Sequence, residues 1–263
     1  MGVNRSAAEA EQDAVRAMGD RLGRIYHALW QEIARLHLQW CEYVELFGTN
    51  TSRVELMNRA APRCFANFQQ ALLEGIILHV TRLTDRHDTH QRDSSRSRNK
   101  RNLSFMALAE ALTAPDVKQR VTELIKLAEE ASEFCRDWRN RRIAHADFDL
   151  SLDPAARPLE PVIRQKLKAA LDALGPILNA LSEHYQDSTS EFSFPSQVGG
   201  ALDLLWVLRD GVDARDRRDA DSNAGNRGQR TCGPTIHNTA STCWAPLRRV
   251  GLVSATEVHN LPP

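Results

Sequence analysis

The apolar residues of the chain recur mainly every three or four positions, which is the period of one buried face of an α-helix. The longest such stripe predicts a helix over residues 22–47, ended by Gly48, Thr49 and Asn50. A second stripe predicts a helix over about residues 54–84, and its extra apolar positions make it the most buried one. The first stripe consists of Leu22, Ile25, Leu29, Ile33, Leu36, Trp40, Val44 and Phe47.

Shorter stripes predict four more helices, at about residues 104–113, 115–145, 161–185 and 198–210. Ser104 is expected to cap the first of these four, and Pro176 to kink the third. Trp40, Trp138 and Trp206 occupy stripe positions and are expected in the core. No segment alternates as a half-buried strand does, so the predicted fold class is all-α: a bundle of long antiparallel helices.

Three segments do not fit this pattern. Residues 1–20 are predicted to be a disordered N-terminus, and residues 211–263 a disordered or poorly ordered tail, which leaves a helical domain at 21–210. Within that domain, residues 86–102 contain no apolar residue and carry a surplus of four positive charges. We interpret this segment as a basic loop insertion, either an arm for RNA phosphates or simply a solvated insertion.

Composition narrows the function classes only in part. Lys+Arg and Asp+Glu are equal at 34 each, so the net charge indicates no acidic or basic partner. The five cysteines are widely spaced and form no Cys-x-x-Cys pair, which argues against a disulfide framework or zinc module. No apolar run approaches the ~20 residues of a membrane span, and the N-terminus lacks a secretory core. We therefore expect a cytoplasmic protein with no membrane, metal or cofactor.

The densest candidate chemistry lies in residues 138–149, WRNRRIAHADFD. Arg139, Asn140 and His145 sit near the end of a predicted helix, with Arg141 and Arg142 between them. On an α-helix, Arg139 and Asn140 lie ~120–140° from His145, so one helix does not aim all three at one atom. Two copies packed across a twofold axis do, because each contributes a different flank.

Histidine and arginine are residue types suited to the cleavage of RNA without a metal. The RNA's own 2′-hydroxyl attacks the adjacent phosphate, so the enzyme must move a proton and neutralise charge on phosphorus. Histidine transfers protons near neutral pH, and arginine binds phosphate through a planar fork that stays charged.

These residues resemble a known family. Arg139 and His145 are separated by five residues, and Asn140 directly follows the arginine. This arrangement resembles the Arg-x(4–6)-His motif of the HEPN superfamily. Residues 77–85, ILHVTRLTD, and 102–105, NLSF, resemble the AbiU-type abortive-infection branch, as does the closing helix at 200–208. The resemblance spans about residues 22–210.

The resemblance implies a homodimeric helical bundle whose two motifs form a composite RNase site. Arg139 and His145 would be catalytic and Asn140 would orient them. An antitoxin protein is a further implied partner. Many HEPN toxins carry a tyrosine two residues after the histidine; Asp147 stands there, so control by modification of that tyrosine is not expected. We expect the RNA-phosphate contacts to be Arg141, Arg142, Arg96, Arg98, Lys100 and Arg101.

Other interpretations stay open. The chain is either a metal-independent endoribonuclease, a HEPN module that binds RNA or protein without cutting, or a structural dimerisation bundle. In the last of these interpretations, the arginines form the solvated end of a helix. His145 caps that end and pairs with Asp147 or Asp149. His79 is interpreted as a core histidine. Two sets of residues have metal-ligating side chains but not the spacing of a metal site, so no metal is expected at either: Asp85, His87, Asp88 and His90, and Cys232, His237 and Cys243.

Overall fold

The computed structural model describes residues 6–85, 102–145, 147–153, 158–192 and 199–227, with side chains on the last helix described to residue 222. Within these ranges every regular element is helical, which confirms the all-α prediction. The helices are α1 Ala7–Met18, α2 Asp20–Tyr43, α3 Thr51–Ala60, α4 Pro62–Thr84, α5 Phe105–Ala111, α6 Pro115–Ala131, α7 Glu133–Trp138, α8 Phe148–Leu152, α9 Arg164–Asp172, α10 Gly175–Gln186 and α11 Ala201–Arg227, with π-helical turns at Val44–Gly48 and Arg139–Ile143.

The chain divides into two compact units, one of residues 1–43 with 68–195 and one of residues 44–67 with 196–263. In the first unit, the predicted stripes of α2, α4, α6, α9 and α10 meet in a continuous apolar core. Its most deeply buried side chains include Leu29, Ile33, Leu36, Ile76, Ile77, Leu83, Phe105, Leu108, Leu167, Leu171 and Leu174.

The N-terminal segment corrects one expectation, because α1 occupies most of the segment predicted to be disordered. A capping box starts this helix: the Glu9 backbone N–H donates to Ser6 Oγ (3.3 Å), and the Ser6 N–H donates to the Glu9 carboxylate (2.8 Å). Ala14 and Met18 then enter the core. Most residues of α1 are polar or are alanine, so its two buried positions could not be recognised as an apolar stripe in the sequence.

Gly23 sets the distance between α1 and α2. A Cβ built on Gly23 would lie 2.5 Å from the Val15 Cα and 2.6 Å from the Ala14 carbonyl oxygen, both backbone atoms of α1. Backbone atoms cannot rotate away as a flexible side chain can. The helices can therefore pack this closely only with glycine at position 23.

Replacing Gly23 by Ala is expected to destabilise the protein by about 1–3 kcal/mol, the usual cost of overpacking. Urea denaturation followed by circular dichroism measures this. The matched control is Gly211→Ala on α11, where an added Cβ meets no atom within 4 Å. Equal unfolding midpoints for Gly23→Ala and the wild type would show that α1 does not pack against α2 as described.

A proline divides one predicted helix into two. The helix expected over residues 54–84 is two helices, because Pro62 has no backbone N–H to continue α3 and occupies the first turn of α4. Ala61 between them is extended (φ −159°, ψ 73°). The expected kink near Pro176 is also present, as the break at residues 173–174 between α9 and α10.

The second unit contains α3 and α11, and it differs from the prediction in two respects. First, α11 continues to Arg227, well beyond the expected end near residue 210. Second, Trp206 is exposed, although the stripe placed it in the core; Arg209 lies over its ring, 4.1 Å from the centroid. An ion pair between Arg59 and Asp216 joins α3 to α11 within this unit. The remaining residues of the predicted tail, 228–263, lie outside the described residues.

Candidate functional site

The candidate motif lies in a π-helical turn and not in the α-helix that the sequence predicted. Helix α7 ends at Trp138, and the Ala144 backbone N–H donates to the Arg139 carbonyl, five residues earlier, at 2.8 Å. The Trp138 indole N–H donates to the Glu160 carbonyl at 2.7 Å, which anchors the start of the turn. The wider turn changes which motif side chains share a face. Such turns are rare in proteins overall, but those that occur are often found at functional sites.

The Arg139 side chain contacts the end of α4. Its guanidinium forms an ion pair with Asp85, just after the end of α4, and its Nε donates to Asn140 Oδ1 at 3.0 Å. Arg136 supports the same carboxylate from one turn earlier, at 3.5 Å, and donates to the Thr84 carbonyl at 3.2 Å. Two arginines and one carboxylate therefore fix the end of α4 against the motif.

Arg141 and Arg142 have different environments. The Arg141 side chain is only 15% exposed and lies between Asp137 (3.3 Å) and Asp147 (3.7 Å). Asp147 also accepts a hydrogen bond from the Leu150 backbone N–H (2.9 Å), which caps α8. Asp147 thus has a structural role at the position where many HEPN toxins carry tyrosine. Arg142 lies over the Trp138 ring, 5.9 Å from its centroid.

His145 and Asn140 are exposed, whereas Arg139 is half-buried. His145 contributes to the walls of neither cavity described below. Asp147, which the solvated-end interpretation offered as a partner for His145, is paired with Arg141 instead. The structure therefore places the histidine and the arginine of the motif in different surroundings within one copy of the chain.

A cavity of about 470 Å³ opens beside Arg139. It joins parts of the chain that are distant in sequence, namely α2, α4, the segment before α5 and the π-helical turn. Three of the segments that carry the family resemblance meet here, through Arg82 and Asp85, Asn102, and Arg139. The remaining lining residues are Arg35, Gln39, Gly75, Leu78, His79 and Thr81.

Glu32 organises one wall of this cavity. Its carboxylate lies 2.8 Å from His79 Nε2, 3.1 Å from an Arg35 nitrogen and in contact with the Arg82 guanidinium. Sequence reasoning missed Glu32, Arg35 and Gln39, although their spacing of three and four residues puts them on one face of α2. That polar face on an otherwise apolar helix was the available signal.

His79 is buried, as predicted, at 6% exposure, but its surroundings are polar. Its Nδ1 lies 3.5 Å from Gln39 Oε1. Burial lowers the pKa of His79, and the Arg82 charge lowers it further, while Glu32 offsets only part of the effect. The imidazole is therefore neutral at pH 7, and the positive charge of the cavity comes from its arginines.

A smaller cavity of about 240 Å³ has a different lining. It is formed by Arg141 and Arg142, by Gln70 and Glu74 of α4, and by Leu150 and Ser151 of α8. The π-helical turn thus contributes to two polar cavities, Arg139 to the larger one and the next two arginines to the smaller one.

Several predicted groups lie outside the described residues. These are the proposed loop contacts Arg96, Arg98, Lys100 and Arg101, and most members of both metal sets. Within the described ranges, no group of three or more His, Cys, Asp or Glu side chains is arranged to hold a metal ion. Burial raises the pKa of the Cys135 thiol to about 12, so this cysteine fills the core and is not a thiolate nucleophile.

The described residues form an all-α protein in which one residue of the motif, Arg139, lines a polar cavity. The model of the HEPN family AbiU2 matches residues 19–203, which is well over half of the chain. The chain therefore belongs to the AbiU2 family of HEPN proteins. No curated protein and no solved structure matches it. Among the described helices, none combines the length and apolar character needed to cross a membrane.

Proposed function

We propose that the chain is a metal-independent endoribonuclease that acts as a toxin or antiviral effector in the cytoplasm. The observation that carries this proposal is the division of the motif. Arg139 is fixed by Asp85 at the start of the π-helical turn, and His145 is exposed just beyond its end. A phosphate-binding cation and a proton-transfer group thus lie at the two ends of the same turn, in different surroundings.

In the proposed reaction the 2′-oxygen of RNA attacks the adjacent phosphorus and the bond from phosphorus to the 5′-oxygen breaks. The 2′-hydroxyl loses a proton and the leaving 5′-oxygen gains one. The products are a 2′,3′-cyclic phosphate and a 5′-hydroxyl, so no water is consumed in this step. His145 transfers a proton, Arg139 neutralises the charge that develops on the phosphoryl oxygens, and Asn140 orients Arg139.

Additional cations are proposed to hold the RNA backbone. Arg142, which lies over Trp138 at the smaller cavity, is suited to a phosphate contact. Arg141 is proposed to contribute charge from its position between Asp137 and Asp147. The sequence-based contacts Arg96, Arg98, Lys100 and Arg101 remain part of the proposal.

A second copy of the chain is proposed to complete the site, because His145 does not face the Arg139 cavity of its own copy. Phe148 and Leu152, just after His145, are 74% and 71% exposed. They are four residues apart on α8 and so lie on one face, which forms an apolar patch beside the motif. A homodimer would cover this patch and bring two motifs together. An antitoxin protein that covers the same surface would block the site.

A non-catalytic HEPN module that binds RNA or protein is the second candidate. It is favoured by the ion pair of Arg139 with Asp85, because a guanidinium occupied by a carboxylate is less available to neutralise charge in a transition state. In this interpretation the arginines hold nucleic acid and His145 has no chemical role.

The test uses the purified full-length chain and total RNA, with and without EDTA. We expect discrete RNA fragments in both conditions, and no fragments from RNA incubated without protein. Fragments that disappear on adding EDTA would contradict a metal-independent reaction. RNA retained by folded protein without any cleavage would support the binding module instead.

A further inference from the structure

Gly75 lies in the interior of α4 and on the wall of the larger cavity. Glycine is the least favourable residue in a helix interior after proline, so packing usually explains its presence there. At Gly75 packing gives no such reason, because an added Cβ would meet no atom of the described residues within 4 Å. This contrasts with Gly23, whose Cβ would collide with α1. The missing side chain leaves open space in the cavity.

The cavity attracts anions. Its lining holds three guanidiniums, those of Arg35, Arg82 and Arg139, and one carboxylate, that of Asp85. Glu32 lies behind the wall and is shared by Arg35 and Arg82, so one positive charge remains after both carboxylates are counted. A single carboxylate does not occupy all five donors of each guanidinium.

The two arginines of α2 and α4 are accessible. The Arg35 and Arg82 side chains are 63% and 57% exposed, although Glu32 holds each at one end. Arginine presents its donors as a planar fork that matches the oxygens of a phosphate. Glu32 thus positions two forks at the cavity while leaving donors for a ligand.

The rest of the wall suits the neutral part of a nucleotide. Gln39 and Asn102 supply amide groups that donate and accept hydrogen bonds, and Leu78, which is partly exposed, supplies an apolar surface next to Gly75. The volume of about 470 Å³ lies within the ~300–1,000 Å³ typical of small-molecule sites.

We propose that this cavity is a subsite for one nucleotide of the RNA. Arg35 and Arg82 hold its phosphate, and its sugar and base lie against Gly75 and Leu78. Arg139 belongs to the same wall, so a nucleotide seated here places the adjoining RNA backbone beside the motif. That the nucleotide belongs to RNA rests on the proposed function; the cationic cavity itself does not.

The test measures binding of a fluorescent oligoribonucleotide to the full-length chain carrying His145→Ala, which prevents cleavage during the measurement. Adding Gly75→Leu is expected to weaken binding at least tenfold, because the side chain fills the cavity. The midpoint of thermal unfolding should not fall, since leucine favours helix and the space is open. The control Gly211→Leu, in a helix interior outside the cavity, should leave binding unchanged. Unchanged binding by Gly75→Leu would overturn the proposal.

A second variant and a competition experiment make the result independent of one substitution. Arg82→Ala should also weaken binding at least tenfold, and unchanged affinity would overturn the role of Arg82. Unlabelled 5′-AMP should displace the oligoribonucleotide, whereas inorganic phosphate should do so only at higher concentration. If 5′-AMP binds to the protein without displacing RNA, the cavity takes a free nucleotide and the RNA subsite is excluded.

Failure of the proposed nuclease is distinguishable from failure of this subsite. A wild-type chain that binds RNA through Gly75 and Arg82 but never cleaves it would refute the nuclease and leave the subsite intact. Cleavage that depends on His145 but not on these two residues would refute the subsite alone.

Discussion

Replacing His145 by Ala is expected to reduce RNA cleavage by a factor of about 10² to 10⁴, the usual contribution of a positioned general acid or base. The side chain is exposed, so the free energy of unfolding should change by no more than about 0.5 kcal/mol. Cleavage rates on a defined RNA and urea denaturation measure the two effects. RNA binding should persist, because the arginines are unchanged.

His184→Ala is the matched control for this substitution. His184 is also an exposed histidine near a helix end, but it lies on α10 beside Tyr185 and away from the motif. The His184→Ala variant should cleave RNA at the wild-type rate. Full activity of His145→Ala would remove His145 from the mechanism and favour the binding module.

Replacing Arg139 by Ala is expected to reduce cleavage by about 10² to 10³, comparable with the loss of one donor that stabilises transition-state charge. Arg139→Lys should recover only part of the rate, because an ammonium group keeps the charge but lacks the planar fork. Single-turnover rates at saturating RNA separate this loss from weaker binding. Thermal unfolding is measured alongside, since Asp85 loses one of its two cationic partners.

Two controls define the role of Arg139. Arg16→Ala removes an exposed arginine from α1 and should leave the cleavage rate unchanged. Asp85→Asn should lower the rate less than Arg139→Ala does, because Asp85 positions the guanidinium without contacting RNA. A rate for Arg139→Ala equal to the wild type would contradict the assignment of transition-state charge to this residue.

The positions of Arg139 and His145 have different consequences for the proposed RNA cleavage and for the proposed RNA binding. In a single copy, Arg139 is engaged with Asp85, whereas His145 is exposed and lines neither cavity. The proposed cleavage would therefore require a partner copy, or RNA that draws the two groups to one phosphate. Binding requires neither, because Arg35 and Arg82 already face an open cavity. This difference is why binding and cleavage must be measured separately.

Much of the fold could be predicted from the period of the apolar residues. Leu29, Ile33 and Leu36 follow the α-helical repeat, and the structure buries all three. The breaks were harder to place, because they depend on single residues. Pro62 ends one helix within a continuous apolar stripe, and the capping box at Ser6 starts another within a polar segment.

The site was predictable only in part. Arg139, Asn140 and His145 stand close together in the sequence, so the motif itself was visible. The π-helical turn could not be predicted, because it results from a hydrogen bond between the Ala144 N–H and the Arg139 carbonyl, and no residue preference in the sequence indicates that bond. The cavity joins α2 to α4 and the motif, and such contacts arise from tertiary packing. For that reason His79 was predicted to be buried but not to line a cavity.

The most direct test of the central claim is cleavage of a synthetic RNA in EDTA, compared with the same RNA carrying one 2′-deoxynucleotide at the cleavage site. We expect the wild-type chain to cut the RNA into fragments with 2′,3′-cyclic phosphate and 5′-hydroxyl ends, and to leave the deoxy position intact. Cleavage at the deoxy position would contradict the account, because attack by the 2′-hydroxyl would then be unnecessary.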